Sequence, residues 1–256
     1  MGLEQIEVEL IDCMGSDRKI AEAAWTSSTT GKNKVKKTKE QALSLVTMLA
    51  SEGHSVPFEH VAMTFWMRIP LHIDRQIVTH RIASHSGMSG RYRTLPSDFY
   101  ELPQDVLDIY NKSGLPLVER YTSTCKQAVE TYHDTMAALK DMKDKGKITN
   151  DEYKRAREDA RGVLPEALML ERVTTMNLHS FANFQRLRNS SHAQVEIQHV
   201  AKLMLDAVKQ RDFVPHAIAQ LEKNAWVMND EVSKLKAELE RLKRCIQPLN
   251  FEYFYD

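Results

Sequence analysis

The chain has 256 residues, 42% of them hydrophobic and 27% charged, with 35 basic residues balanced by 35 acidic ones. That much apolar material supports a sizeable core and excludes an intrinsically disordered chain. The zero net charge excludes the global basic footprint of a non-specific nucleic-acid binder, so any anion site has to be local.

Three cysteines, Cys13, Cys125 and Cys245, stand far apart with no C-x-x-C pair, which argues against a zinc site and a disulfide framework. The cytosol is the default compartment for such a chain. No basic stretch followed by an apolar run opens the sequence, and no apolar run is long enough to span a bilayer. Metal, nucleic-acid and membrane partners are therefore not expected.

In chain order, Ile6-Glu7-Val8-Glu9-Leu10-Ile11 alternates and predicts a half-buried strand, followed by a turn and helix cap at Gly15-Ser16-Asp17 and a short Ala-rich helix through Trp25. The Ser-, Thr-, Gly- and Lys-rich run from Thr26 to Lys37 reads as a mobile loop. Ala42, Leu45, Val46 and Leu49 fall at helical spacing, and Gly53 is placed to end that helix. In Gly53-His54-Ser55-Val56-Pro57-Phe58-Glu59-His60, a histidine beside Pro and Phe is by itself a packed loop residue. Val61, Met63, Phe65 and Met67 then alternate with Ala62, Thr64, Trp66 and Arg68 in a strand that Pro70 ends. A helix from Leu71 is expected to carry Arg75, Gln76, Thr79 and His80, with Gln76 and His80 one turn apart on a face that can address one ligand.

The stretch from Thr79 to Arg93 concentrates cations, imidazoles and hydroxyls around Gly87 and Gly90. Arginine offers a planar fork of donors to phosphate or carboxylate, and glycine lets backbone N–H groups approach an oxyanion. Ser86-Gly87-Met88-Ser89-Gly90-Arg91 therefore suits a nucleotide phosphate better than a metal.

From Glu101 to Lys147, Val118, Tyr121, Cys125, Ala128, Tyr132, Met136 and Leu139 recur at helical steps, which makes them a core stripe. Thr149 or Asn150 starts the next helix, with acidic Asp151 and Glu152 favoured there by the dipole. Leu170 to Met176 reads as a strand, and Asn177 and Ser180 as caps for a following helix. Ile197, Val200, Met204 and Val208 mark a further helix, and Phe213 to Met228 another with Ala217, Leu221 and Trp226 inward. Val232, Leu235, Leu239, Leu242 and Ile246 form a coiled-coil-like seam of about two heptads, which suits docking better than an independent zipper.

His80-Arg81, Ser84, Ser89 and Arg91 together resemble the R-H-R-x-x-S-x-x-x-x-S-x-R signature of flavin-dependent thymidylate synthases. Three further segments resemble that family: Gly53 to His60 (G-H-x-S-P-F-E-H), Arg157 to Pro165 (R-E-x-A-R-x-x-L-P), and Asn183 to Gln198 (N-F-x-x-L-R-x-x-x-H-A-Q-x-E-I-Q). The chain departs from the pattern at Thr79, where an arginine is usual, at Val56, where a serine is usual, and at Ser86-Gly87, where Asn-Glu is usual.

The resemblance implies an α+β fold with a mixed sheet packed on long helices, over a single domain at 1–228 with a helical elaboration at about 101–147 and a helical extension at 229–256. It implies a homotetramer. It also implies methylation of dUMP at carbon five, with methylenetetrahydrofolate as carbon donor and FAD reduced by NADPH as hydride source. Carried over residue by residue, Gln76, Ser86, Gly87, Met88, Ser89, Gly90, Arg91 and Arg161 would hold the nucleotide, and Arg188 would both bind and polarise the base. His54, Thr79, His80, Arg81, Asn177, His179, Asn183 and His192 would face the flavin. The departures raise a second possibility, a folate-dependent hydroxymethylase acting on dUMP or dCMP, and the C-terminal seam a third, a non-catalytic nucleotide-binding protein.

Overall fold

Alternation from Val61 onward produces the strand on which the sheet is built. Met63, Phe65, Met67 and Ile69 are fully buried, while Ala62, Thr64, Trp66 and Arg68 between them are half-buried. The structure, a computed structural model, describes residues 2–28, 37–226, 238, 239 and 242. Four strands, β1 (Glu7–Met14), β2 (Ala62–Pro70), β3 (Ala83–Gly87) and β4 (Met169–Asn177), lie in the order β1-β2-β4-β3.

The α+β class holds, but the sheet is antiparallel where a mixed one was expected. Leu71 N–H donates to Leu168 O at one end of the β2–β4 pair and Leu178 N–H to Val61 O at the other. His85 meets Thr174 while Met88 N–H donates to Glu171 O, which sets β3 against β4 the same way. Arg68 reaches Glu7 at the start of β1, and Gly15 packs on Val61 at its end. The physical reason is that the chain enters β4 beside the end of β2 and can only run back along it.

The helices are α1 (Asp17–Ala24), α2 (Lys39–Ser51), α3 (Leu71–Ile77), α4 (Gln104–Asn111), α5 (Leu117–Asp144), α6 (Asn150–Ala160), α7 (Leu178–Arg188), α8 (Val195–Arg211) and α9 (Pro215–Lys223). Their ends follow the expected chemistry. Ser16 accepts from Lys19 N–H, Thr38 and Gln41 close a capping box, and so do Thr149 and Glu152. Gly53, at φ +73, lets His54 N–H donate back to Leu49 O and so ends α2. The expected helical run from Glu101 is two helices, because Gly114 at φ +69 and Pro116 interrupt it. The last expected helix stops at Lys223, short of Met228. The loop expected at Thr26 to Lys37 and the seam from Val232 to Ile246 lie largely outside the described residues.

The chain groups into two units. The first comprises Met1–Asp12, Thr64–Thr175 and Ser191–Ala207. Its long helix α5 buries Cys125, Val129, Tyr132 and Met136, and the last three pack with Leu95 and Leu168. Full burial of an aliphatic or aromatic side chain stabilises by about 1.5–3 kcal/mol. This cluster therefore anchors the loop that leads into Leu95, whose N–H is also bonded to the Tyr132 hydroxyl at 3.1 Å.

The second unit comprises Cys13–Met63, Met176–Ser190 and the chain from Val208 onward. Ile20, Val46, Leu49, Phe58, Phe181, Phe184, Ile218 and Leu221 fill its interior. Asp17 ties α1 to α9: its two carboxylate oxygens accept from His216 N–H at 3.1 Å and Ala217 N–H at 2.7 Å, so one residue caps the start of a helix about 200 positions away.

Candidate functional site

The expected anion loop lies in the first unit. Helix α3 ends at Ile77, so Thr79 and His80 are not on it. The Thr79 hydroxyl donates to Gln76 O at 2.8 Å, and His80 N–H donates to Ile77 O at 3.0 Å. Gln76 and His80 therefore do not share a helical face as expected, because the β-branched pair Val78-Thr79 turns the chain out of the helix. Arg81 is exposed in the bend that follows. Residues 83–87 form β3, a strand missed in the sequence because Ser84, His85 and Ser86 carry no apolar alternation.

Past β3 the backbone coils on itself. Ser89 O accepts from Tyr92 N–H and Arg93 N–H, and Ser89 Oγ accepts from Arg91 N–H at 3.3 Å. Gly90 is buried at this coil, and a Cβ there would lie 3.1 Å from Leu95 Cδ1 and 3.4 Å from Arg161 Cδ. Arg161, in the short turn after α6, is thereby held against the loop. Arg91 gives its Nε to Glu158 at 2.8 Å, and its two terminal nitrogens have no hydrogen-bond partner among the described residues. The same holds for the Arg161 guanidinium. Two cations thus flank the Ser89-Gly90 backbone with donors to spare. An exposed ion pair such as Arg91–Glu158 adds little stability, so its effect is to orient the fork.

Gln76 Nε2 bonds Gln194 Oε1 at 2.8 Å, which connects α3 to the segment that carries exposed His192. Two residues beyond Gln194, the buried Glu196 accepts from the Tyr100 hydroxyl at 3.3 Å. Burial and the neighbouring Glu196 carboxylate push the Tyr100 phenol well above its ordinary range, so it stays a donor. Gly87 lies under the guanidinium of Arg172, which forms a bidentate pair with Asp74 of α3. Neither Asp74 nor Arg172 was singled out in the sequence; the available signal was a carboxylate between Ile73 and Ile77 and an arginine in a Val- and Thr-rich strand.

The remaining expected residues, His54, Asn177, His179, Asn183 and Arg188, belong to the second unit. Asn177 caps α7, accepting from Ser180 N–H at 2.8 Å through Oδ1, which leaves its amide nitrogen as a donor. His179 Nδ1 lies 3.1 Å from Glu59 Oε1, and Asn183 Oδ1 accepts from Arg186 at 2.9 Å. Arg188 is the last residue of α7, where the helix dipole favours a cation. His54 and Val56 line a cavity of about 450 Å³ together with Trp25, Leu45, Met48 and Pro57. Its lining is mostly apolar, with His54, Ser27, Ser28 and Ser55 as the polar residues.

A family model described as "Thymidylate synthase complementing protein" matches residues 9–215. Flavin-dependent thymidylate synthases from Thermotoga neapolitana and Thermus thermophilus are 34% and 32% identical, over 76% and 91% of this chain and over 81% and 83% of theirs. The chain belongs to the flavin-dependent thymidylate synthase family. Among solved structures, a UMP/dUMP methylase from Streptomyces cacaoi bound with 5-Br dUMP matches with a TM-score of 0.70 at 26% identity, covering 88% of this chain and 97% of that one.

As a flavin-dependent thymidylate synthase family member, the chain is a methyltransferase. Its departures from the usual pattern acquire physical form: Thr79 turns its hydroxyl to a backbone carbonyl, Val56 is 66% exposed, and Gly87 has a guanidinium above it.

Proposed function

We propose that this flavin-dependent thymidylate synthase methylates dUMP at carbon five to give dTMP, with methylenetetrahydrofolate as carbon donor. The observation that carries the reading is the pair of cations on the Ser89-Gly90 coil, Arg91 with both terminal nitrogens unengaged by the described residues and Arg161 packed on Gly90. A dianionic phosphate accepts charge-assisted hydrogen bonds from two such forks. Ser86, Gly87, Met88 and Ser89 complete the nucleotide's cradle, and Gln76, oriented by Gln194, meets it from α3. Arg188 presents a planar guanidinium that stabilises negative charge on the uracil carbonyls as carbon five becomes nucleophilic.

A bound FAD, reduced by NADPH, would supply the hydride that completes the methyl group. His54, Asn177, His179 and Asn183, with Thr79, His80, Arg81 and His192, are the residues that would hold it. The homotetramer and the cytosolic setting expected of the family belong to this proposal, as does the assignment of 1–228 to one synthase-like domain with 229–256 as its extension.

Replacing Arg91 or Arg161 with Ala should weaken dUMP binding by about 1.5–3 kcal/mol, the range for a hydrogen bond to a charged group. Calorimetry measures it, and unchanged affinity in both variants would remove the phosphate site. A second reading draws on the Thr79 hydroxyl being turned to Gln76 O where the signature has a cation. With a weaker flavin grip, water could end the reaction in place of hydride, which would give a pyrimidine hydroxymethylase on the same residues.

A further inference from the structure

Asp74 and Arg172 form a buried ion pair in the first unit, with side chains 9% and 14% exposed. Arg172 donates from Nε and from Nη2, the latter at 2.6 Å, to the two oxygens of Asp74, and these are its guanidinium's hydrogen bonds among the described residues. Nη1 is thus a donor with no acceptor among the described residues. A bidentate clamp of this kind fixes the guanidinium plane, because both forks must stay aligned.

The plane is fixed over Gly87. A Cβ at that position would lie 3.0 Å from Arg172 Nη2, 3.3 Å from Cζ and 3.6 Å from Nη1. The backbone of Gly87 is not in the left-handed region, so its conformation would accept any side chain, and the obstacle is the guanidinium itself. The signature's usual Asn-Glu pair is thus replaced by Ser86-Gly87 together with a cation brought in from β4. Arg91 and Arg161 stand at the far end of the Gly87–Arg91 loop. Four residues of chain span at most about 14 Å, so the two ends can serve the two ends of one nucleotide.

The geometry points to Arg172, positioned by Asp74, as a substrate-contacting residue that donates from Nη1 to an oxygen of the sugar–base part of the bound pyrimidine nucleotide, in the space a side chain at position 87 would otherwise fill. This rests on the reading of Ser86 to Arg91 as the nucleotide loop.

Three variants test it, by titration with dUMP and, separately, with deoxyuridine, which lacks the phosphate. Asp74→Ala with Arg172→Leu removes both charges together, so no unpaired charge is left buried. Arg172→Lys keeps the charge and a partner for Asp74 but has a single nitrogen, which cannot bond Asp74 and reach the nucleotide in the guanidinium's plane, and it is the variant to read if the double change fails to fold. Both should lose at least about ten-fold in affinity for dUMP and for deoxyuridine alike, with Arg172→Lys still folded by circular dichroism. Gly87→Ala should weaken binding in the parent by displacing the guanidinium, yet cause no further loss where Arg172 is already Leu. Arg91→Ala serves as the control, because it should weaken dUMP and spare deoxyuridine. Parent-like affinity of Arg172→Lys for both ligands, with dUMP weakened by Arg91→Ala, would overturn the role of Arg172 and leave the phosphate site standing. A loss confined to dUMP in the Arg172 variants would also overturn it, since the contact would then be to phosphate. If Arg91→Ala left dUMP unaffected as well, the nucleotide loop itself would be refuted.

Discussion

Arginines carry the account at the residue scale, and each is asked for something different. Arg91 and Arg161 are asked for charge at a phosphate, which a lysine could partly supply. Arg188 is asked for a planar fork aimed at a base, which a lysine cannot present. Arg188→Lys should therefore leave dUMP affinity within a few-fold of the parent while turnover falls by at least about ten-fold, the signature of a contact strengthened in the transition state. Equal turnover in calorimetrically matched samples would take the activating role away from Arg188. Each of these three arginines sits in a dense local motif, which is what singles them out in the sequence as candidates. Asp74 and Arg172 escaped notice because their pairing spans 98 positions and neither side of it forms a motif.

Among the elements, those with an apolar period or a capping residue were legible, and those held by polar contacts were not. The stripe Cys125, Tyr132 and Met136 is buried as its spacing requires, with Val129 on the same face. Thr149 and Asn177 cap the helices they precede. Strand β3 was invisible because its inward contact is His85 to Thr174, two polar groups that satisfy each other at 3.1 Å. The tie between α1 and α9 was equally hidden, since nothing in Ser16-Asp17-Arg18 announces that Asp17 will accept from His216 and Ala217. Because one carboxylate serves two backbone donors there, Asp17→Ala should cost about 1–2 kcal/mol, at the upper end for a lost helix cap. Urea unfolding measures that loss, and a midpoint unchanged from the parent would mean the contact is replaced by water at no cost.

For the whole molecule, the two residues proposed to hold the phosphate, Arg91 and Arg161, lie in the first unit, and the departures from the signature fall at Val56, Thr79, Ser86 and Gly87. An apolar core and balanced charge predict a folded chain with a local anion site, for which Arg91 and Arg161 are the proposed cations. Composition could not convey that the chain groups into two units built from interleaved segments, because that depends on which strands and helices return to which neighbours. The central claim is that this architecture delivers a methyl group and a hydride to the same carbon of dUMP. The direct test is mass analysis of the nucleotide formed when the protein is given dUMP, methylenetetrahydrofolate, FAD and NADPH. A product heavier than dUMP by one CH2 unit, formed only with FAD and NADPH present, is the predicted result. A product heavier by CH2O, or one formed equally well without flavin, would contradict it and assign the chain to hydroxymethyl transfer.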